Sequence, residues 1–214
     1  SGAELVNNGD FETPVTDTNN PTTGYWDIFN STQTGWTTIW TNGVSLPAVI
    51  PVLQLWHATA VSGSQFAELD GNRYQNVPSG DNSNNDGASV KIAQDIATVS
   101  GKDYNVTFYT KPRSSSTDNI TFNWNTGAYV VTFVSNSQPQ GVWTLHNYTL
   151  RATSAVTHLS FADGGPLDAL GMFLDKVSVK EKCAGSTDTI TGISITPEST
   201  HTIGGTACPA GYNK

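Results

Sequence analysis

Two carboxylates at opposite ends of the chain are candidates for holding a cation. The stretch Phe173-Leu174-Asp175-Lys176-Val177-Ser178-Val179 alternates, so Phe173, Asp175, Val177 and Val179 are expected on one strand face. A carboxylate among apolar neighbours is costly unless a cation or hydrogen-bond donors compensate it. Glu12 follows Phe11 near the start of the chain. With backbone carbonyls, Glu12 and Asp175 would make an oxygen-rich site of the kind a hard cation such as calcium prefers. The competing reading is that Asp175 accepts backbone N–H bonds at a strand end. The run Asp81-Asn82-Ser83-Asn84-Asn85-Asp86 lacks the glycine and distal acid of a calcium loop and reads as a solvated turn.

Sugar recognition is the other chemistry on offer. The chain has six tryptophans, and an indole offers a flat apolar face with an N–H at its edge. Trp36 and Trp143 read as core. Trp40, between polar neighbours, and Trp56-His57, near a strand end, are the surface candidates. Arg113 follows Pro112, and its guanidinium fork could grip hydroxyls or a carboxylate. Its competing role is an ion pair with Asp118 or another nearby acid. The ligand-binding candidates are therefore Trp40, Trp56, His57 and Arg113.

Catalysis has little support. His57, His146, His158 and His201 show no metal-ligand spacing. There is no nucleophile elbow and no phosphate loop. Glu68 with Asp70, or Asp163 with Asp168, would serve a glycosidase only if folding paired them suitably. The chain is expected not to be an enzyme.

These residues need a scaffold. Short alternating runs, broken by Gly, Pro, Asn and Asp, recur throughout, and helical periodicity is nearly absent. Strands are expected at 5–6, 49–56, 65–69, 90–96, 104–110, 120–124, 129–134, 142–150, 156–161 and 172–179. This is the pattern of an all-β sandwich, expected over residues 4–181 of a 1–182 domain. Long connections at 13–35, 71–88 and 162–171 are natural places for recognition.

Residues 183–214 form a tail too small for a core of its own. Cys183 and Cys208, the chain's two cysteines, are expected to close it as a disulfide, with free thiols as the alternative. The net charge of −8 comes with only 13% charged residues, which disfavours nucleic acid and anionic surfaces. No apolar run reaches membrane-spanning length. Ser1-Gly2 reads as a cleavage or a cloning scar, the first of which would allow for a removed leader. Acceptor sequons at Asn30, Asn105, Asn119 and Asn147 matter only in a eukaryotic secretory host.

An ordered series of motifs adds a resemblance. Asn8-Gly9-Asp10-Phe11-Glu12, Gly35-Trp36, Leu53-Gln54-Leu55-Trp56, Gly63-Ser64-Gln65-Phe66-Ala67-Glu68-Leu69, Gln94-Asp95-Ile96-Ala97-Thr98, Arg113 with Thr117-Asp118, and Leu174-Asp175-Lys176-Val177-Ser178-Val179 together resemble galactose-binding-like jelly-roll domains of bacterial adhesins and secreted proteins. The cover is about residues 4–180. The opening and closing motifs are also similar to carbohydrate-binding modules, many of which hold a structural calcium ion between the chain ends. The resemblance implies a non-catalytic, lectin-like module in a secreted or cell-surface protein, with calcium at Glu12 and Asp175. Its partners would be a glycan or cell-surface polysaccharide, and neighbouring domains or further copies. A structural or fibre-assembly domain is the rival reading, with a glycan hydrolase or lyase third.

Overall fold

The computed structural model describes residues 2–19, 25–40, 53–72, 87–113, 117–125, 127–134, 137–166 and 168–182. The expected disulfide between Cys183 and Cys208 lies outside them, as do the 81–86 run and the tail.

Two antiparallel sheets enclose one core. The first sheet has the order β1-β3-β4-β12-β7-β10. Its strands are β1 Trp26–Phe29, β3 Leu53–His57, β4 Gln65–Glu68, β12 Phe173–Glu181, β7 Asp103–Lys111 and β10 Thr144–Arg151. The second has the order β2-β6-β11-β8-β9, with β5 also paired to β6. Its strands are β2 Thr37–Trp40, β5 Asp70–Asn72, β6 Gly87–Ala97, β11 Val156–Asp163, β8 Asn119–Trp124 and β9 Tyr129–Val134. One helical turn, α1 Ser31–Thr34, precedes β2, and Asn30 and Gln33 cap it reciprocally. No helix among the described residues is long and apolar enough to cross a membrane.

Period-two patterning explains the core. In β7, Tyr104, Val106, Phe108 and Thr110 are buried and alternate with half-exposed neighbours. Ile120, Phe122 and Trp124 do the same in β8. Aromatic rings lock the sheets together: Phe108 lies 5.0 Å from Phe122 and 4.9 Å from Phe161. Such contacts add to the burial of large apolar area.

The closing strand departs from simple alternation. Its register shifts between Asp175 and Ser178, and Lys176 takes a positive φ of 52°. This bulge resets the alternation. Leu174, Val177 and Val179 join the core, while Phe173 and Asp175 stay outside that cluster. The single face expected for Phe173, Asp175, Val177 and Val179 is therefore split in two. Gly9 fits against the bulge: the Val177 N–H donates to its carbonyl at 2.7 Å. A Cβ on Gly9 would stand 2.0 Å from the Val177 carbonyl oxygen, so only glycine allows this approach.

Candidate functional site

The outer face of the first sheet collects the polar and aromatic groups that its core face rejects. Leu53, Leu55, Ala67 and Leu174 point into the core. Their strand neighbours Gln54, Trp56, Phe66, Glu68 and Phe173 must then share the opposite face. Glu68 is the anchor. It is 0% exposed. It accepts hydrogen bonds from Gln54 Nε2 at 2.8 Å and Trp56 Nε1 at 2.6 Å. Its other oxygen meets Arg113 Nη1 at 2.5 Å. The same nitrogen donates to the Ala169 carbonyl at 2.7 Å, and the guanidinium carbon lies 5.0 Å from the Trp56 ring centroid. Burial pushes the Glu68 carboxyl up to about 8, opposed by the Arg113 guanidinium and the Trp56 N–H.

An aromatic row continues across the sheet. Trp56 lies 6.1 Å from Phe173, Phe173 lies 4.7 Å from Phe66, and Phe66 lies 5.3 Å from Trp143. Lys111 Nζ sits 4.6 Å from the Trp143 ring and 4.7 Å from that of Phe66. Burial lowers the Lys111 pKa, and Asp175 partly restores it. Phe66 and Phe173 are the buried floor. Trp56, Trp143, Lys111 and Arg113 are half-buried and form the surface above it. A groove of about 450 Å³ on the second sheet, lined by residues including Thr37, Lys91, Asp95 and His158, has no tryptophan, tyrosine or phenylalanine in its wall.

The four ligand candidates do not converge. Trp56 and Arg113 come together through Glu68, a pairing that sequence left open between Asp118 and other acids. His57 does not join them. It pairs with Gln65 while Trp56 pairs with Phe66, so alternation turns it to the other face, where its Nδ1 is buried without a partner. Trp40 lies on β2, paired to Val90 in the second sheet. Trp143, read as core from sequence, instead stacks its edge on Phe66 outside the core cluster. Phe66, Phe173 and Lys111 were missed. The signal was the period-two match of Phe66 and Glu68 to Gln54 and Trp56.

The cation candidates share one turn. Glu12 Oε1 accepts the N–H groups of Ser64 at 2.8 Å and Gln65 at 2.6 Å, and Oε2 accepts the Ser64 hydroxyl at 3.2 Å. Asp175 Oδ2 accepts the N–H groups of Val61 at 2.6 Å and Ser62 at 3.0 Å, and Oδ1 accepts that of Lys176 at 2.6 Å. Burial pushes Asp175 up to about 6, these N–H groups pull it down, and Asp10 adds repulsion. The backbone donors anticipated as the alternative to a metal are thus present. Glu12 Oε2 and Asp175 Oδ1 each accept one bond and keep capacity for a cation. One oxygen of each acid would remain for a hard cation such as calcium.

No curated protein matches this sequence. Among solved structures, the fold is similar to the enzymatically active domain of bacteriophage CBA120 tailspike protein 4, with a TM-score of 0.46 and 14% identity over 84% of this chain and 21% of that one. The chain thus corresponds to about a fifth of that tailspike chain. TmCBM61 in complex with β-1,4-galactotriose gives a TM-score of 0.46 and 12% identity over 84% of this chain and 99% of that one. The C-terminal CBM6 of LamC from Zobellia galactanivorans gives 0.39 and 9% over 68% and 98%. The family described as "Protein of unknown function (DUF642)" matches residues 60–180. That span holds β4, Glu68, Arg113, Trp143 and Asp175 and exceeds half of the chain, so the chain belongs to this family.

Proposed function

We propose that this chain is a non-catalytic carbohydrate-binding module that docks a neutral or weakly acidic glycan on the outer face of the first sheet. The observation that carries the reading is the row Trp56, Trp143, Lys111 and Arg113 above the Phe66–Phe173 floor. Half-exposed indoles supply flat apolar surface for sugar rings. Arg113, fixed by Glu68 and Ala169, supplies oriented donors. The context proposed is a secreted or cell-surface protein of the adhesin kind. One such site is expected to bind at millimolar to micromolar Kd, about −4 to −8 kcal/mol, so adhesion would need several copies.

The test is a glycan array followed by calorimetric titration of the hits. Trp143→Ala is the cleanest variant, because its N–H makes only a long bond of 3.4 Å to the Thr59 carbonyl. Affinity should fall about tenfold or more, the scale of a lost aromatic contact, with the circular dichroism spectrum unchanged. Trp56→Phe should do the same while keeping ring packing. Parental binding by both variants moves the site elsewhere. No binding to any glycan favours the structural domain.

A structural calcium ion at Glu12 and Asp175 is a proposal of the same kind. It is supported by the 61–65 turn that Glu12 and Asp175 share, by the repulsion of Asp175 from Asp10 and by the lone-pair capacity noted above. The ion would tie the two chain ends to the 61–65 turn, without a catalytic role. Chelator should lower the melting temperature of the parent by removing a folded-state ligand and leave Asp175→Asn unaffected. Chelator-insensitive melting of the parent counts against it.

A further inference from the structure

Beyond the C-terminal end of β4, a second set of acids converges with fewer donors. Asp70 starts β5, Asp118 precedes β8, Asp163 ends β11 and Asp168 lies in the segment before β12. One oxygen from each of Asp70, Asp118 and Asp168 lies within 4.8 Å of the others. Asp70 is 0% exposed, Asp118 1% and Asp163 4%. Asp70 Oδ2 accepts the N–H groups of Asp168 at 3.0 Å and Ala169 at 3.1 Å. Its Oδ1 is buried without any hydrogen-bond partner. Asp163 is buried beside them, and burial pushes its carboxyl up to about 6 while the Ser89 hydroxyl and the Gly165 and Gly164 N–H groups pull it down.

Among the described residues no lysine or arginine pairs with Asp70, Asp163 or Asp168. Arg113 Nη1 is committed to Glu68 and the Ala169 carbonyl. Buried carboxylates left this way are destabilising. The backbone nevertheless closes over them. A Cβ on Gly165 would stand 2.5 Å from Asp118 Oδ1, so glycine is what lets this segment approach.

We propose that Asp70, Asp118 and Asp168 bind one hard divalent cation of the calcium class, with Asp163 adding negative charge behind them. The donors are all oxygen, which selects against zinc and copper. Calcium–oxygen bonds of about 2.3–2.6 Å separate ligands on opposite sides of an ion by about 4.6–5.2 Å, and the observed spread fits that span. The ion would pin residues 168–171 to the start of β5. Because Ala169 lends its carbonyl to Arg113, it would also fix the edge of the aromatic face. The site stands whether or not that face binds a glycan.

The experiment is calorimetric titration of calcium chloride into chelator-stripped protein. The parent should take up calcium at this site. Asp168→Asn, at the half-buried ligand, should weaken that uptake at least tenfold, and so should Asp118→Asn. Asp175→Asn should leave it intact, which separates this site from the one at the chain ends. Anomalous scattering from crystals grown with calcium should place a peak among the three aspartates, a reading that does not depend on any variant folding. No peak there, no uptake at millimolar calcium, or parental uptake by both Asp168→Asn and Asp118→Asn overturns the proposal.

Discussion

The acids around Asp175 and those around Asp70 flank the two ends of β4 and solve the same problem differently. At one end the 61–65 turn aims five N–H or O–H donors at Glu12 and Asp175, and Lys176 adds another. At the other, Asp70 receives two N–H groups on one oxygen and none on the other. Both sets are pushed upward by burial, Asp175 to about 6 and Asp70 to about 7. The difference is that backbone donors lower the first more completely. A turn can satisfy an acid only if the chain passes it with consecutive N–H groups pointing inward, and the segment beside Asp70 supplies too few.

The largest effect that follows is on folding stability in calcium-free buffer. Asp175→Ala strips the acceptor from the N–H groups of Val61, Ser62 and Lys176 and should cost about 3 kcal/mol, the scale of unsatisfied partly buried donors. Asp70→Asn keeps a carbonyl oxygen for the Asp168 and Ala169 N–H groups and removes one charge from a crowded set. It should cost under about 1 kcal/mol or stabilise. Urea unfolding of both variants checks the contrast. Equal costs would mean that the two clusters are not physically distinct.

Much of the scaffold can be read from the sequence, and the reasons are local. β9 falls on Tyr129–Val134 as expected, and β7 and β8 agree within a residue, because strict alternation and flanking turn residues mark them. β1, β2 and β5 were not anticipated. They are three or four residues long, too short for periodicity to register, and pairing with longer strands defines them. The bulge at Lys176 is invisible for a similar reason, since nothing in Leu174-Asp175-Lys176-Val177 announces a positive φ. At the site, Trp56 and Arg113 could be nominated singly. Their convergence depends on Glu68, which lies 12 residues from one and 45 from the other. The acids at 118 and 168 drew no attention as ligands, because only the approach of β8 and of residues 168–171 to β5 brings them to Asp70.

A smaller effect isolates what burial alone does to a titratable group, with no acid cluster involved. His146 lies 4.0 Å from the Phe133 ring and 5.0 Å from that of Phe108, and its Nε2 shares a 2.8 Å hydrogen bond with the Thr110 hydroxyl. Burial lowers its pKa from 6.5 to about 4. The folded chain therefore holds less of this proton than the unfolded chain between about pH 4 and 6.5. Its contribution to stability is complete above that window and is lost as the pH falls through it. The buried aspartates have the opposite sign. Asp70, raised from 3.8 to about 7, binds its proton more tightly when folded, so its contribution is present at low pH and lost as the pH rises toward 7. The two trends oppose each other in one window, and His146→Gln separates them. With the ring half-exposed, solvent screening should leave about 1 kcal/mol of histidine-dependent slope. The parent should lose that much more stability than His146→Gln between pH 7 and pH 4, measured by urea midpoints at each pH. Parallel profiles would show that His146 titrates normally and that burial in this sandwich is less severe than its ring contacts indicate, weakening the case that the aspartates at Asp70 need an ion.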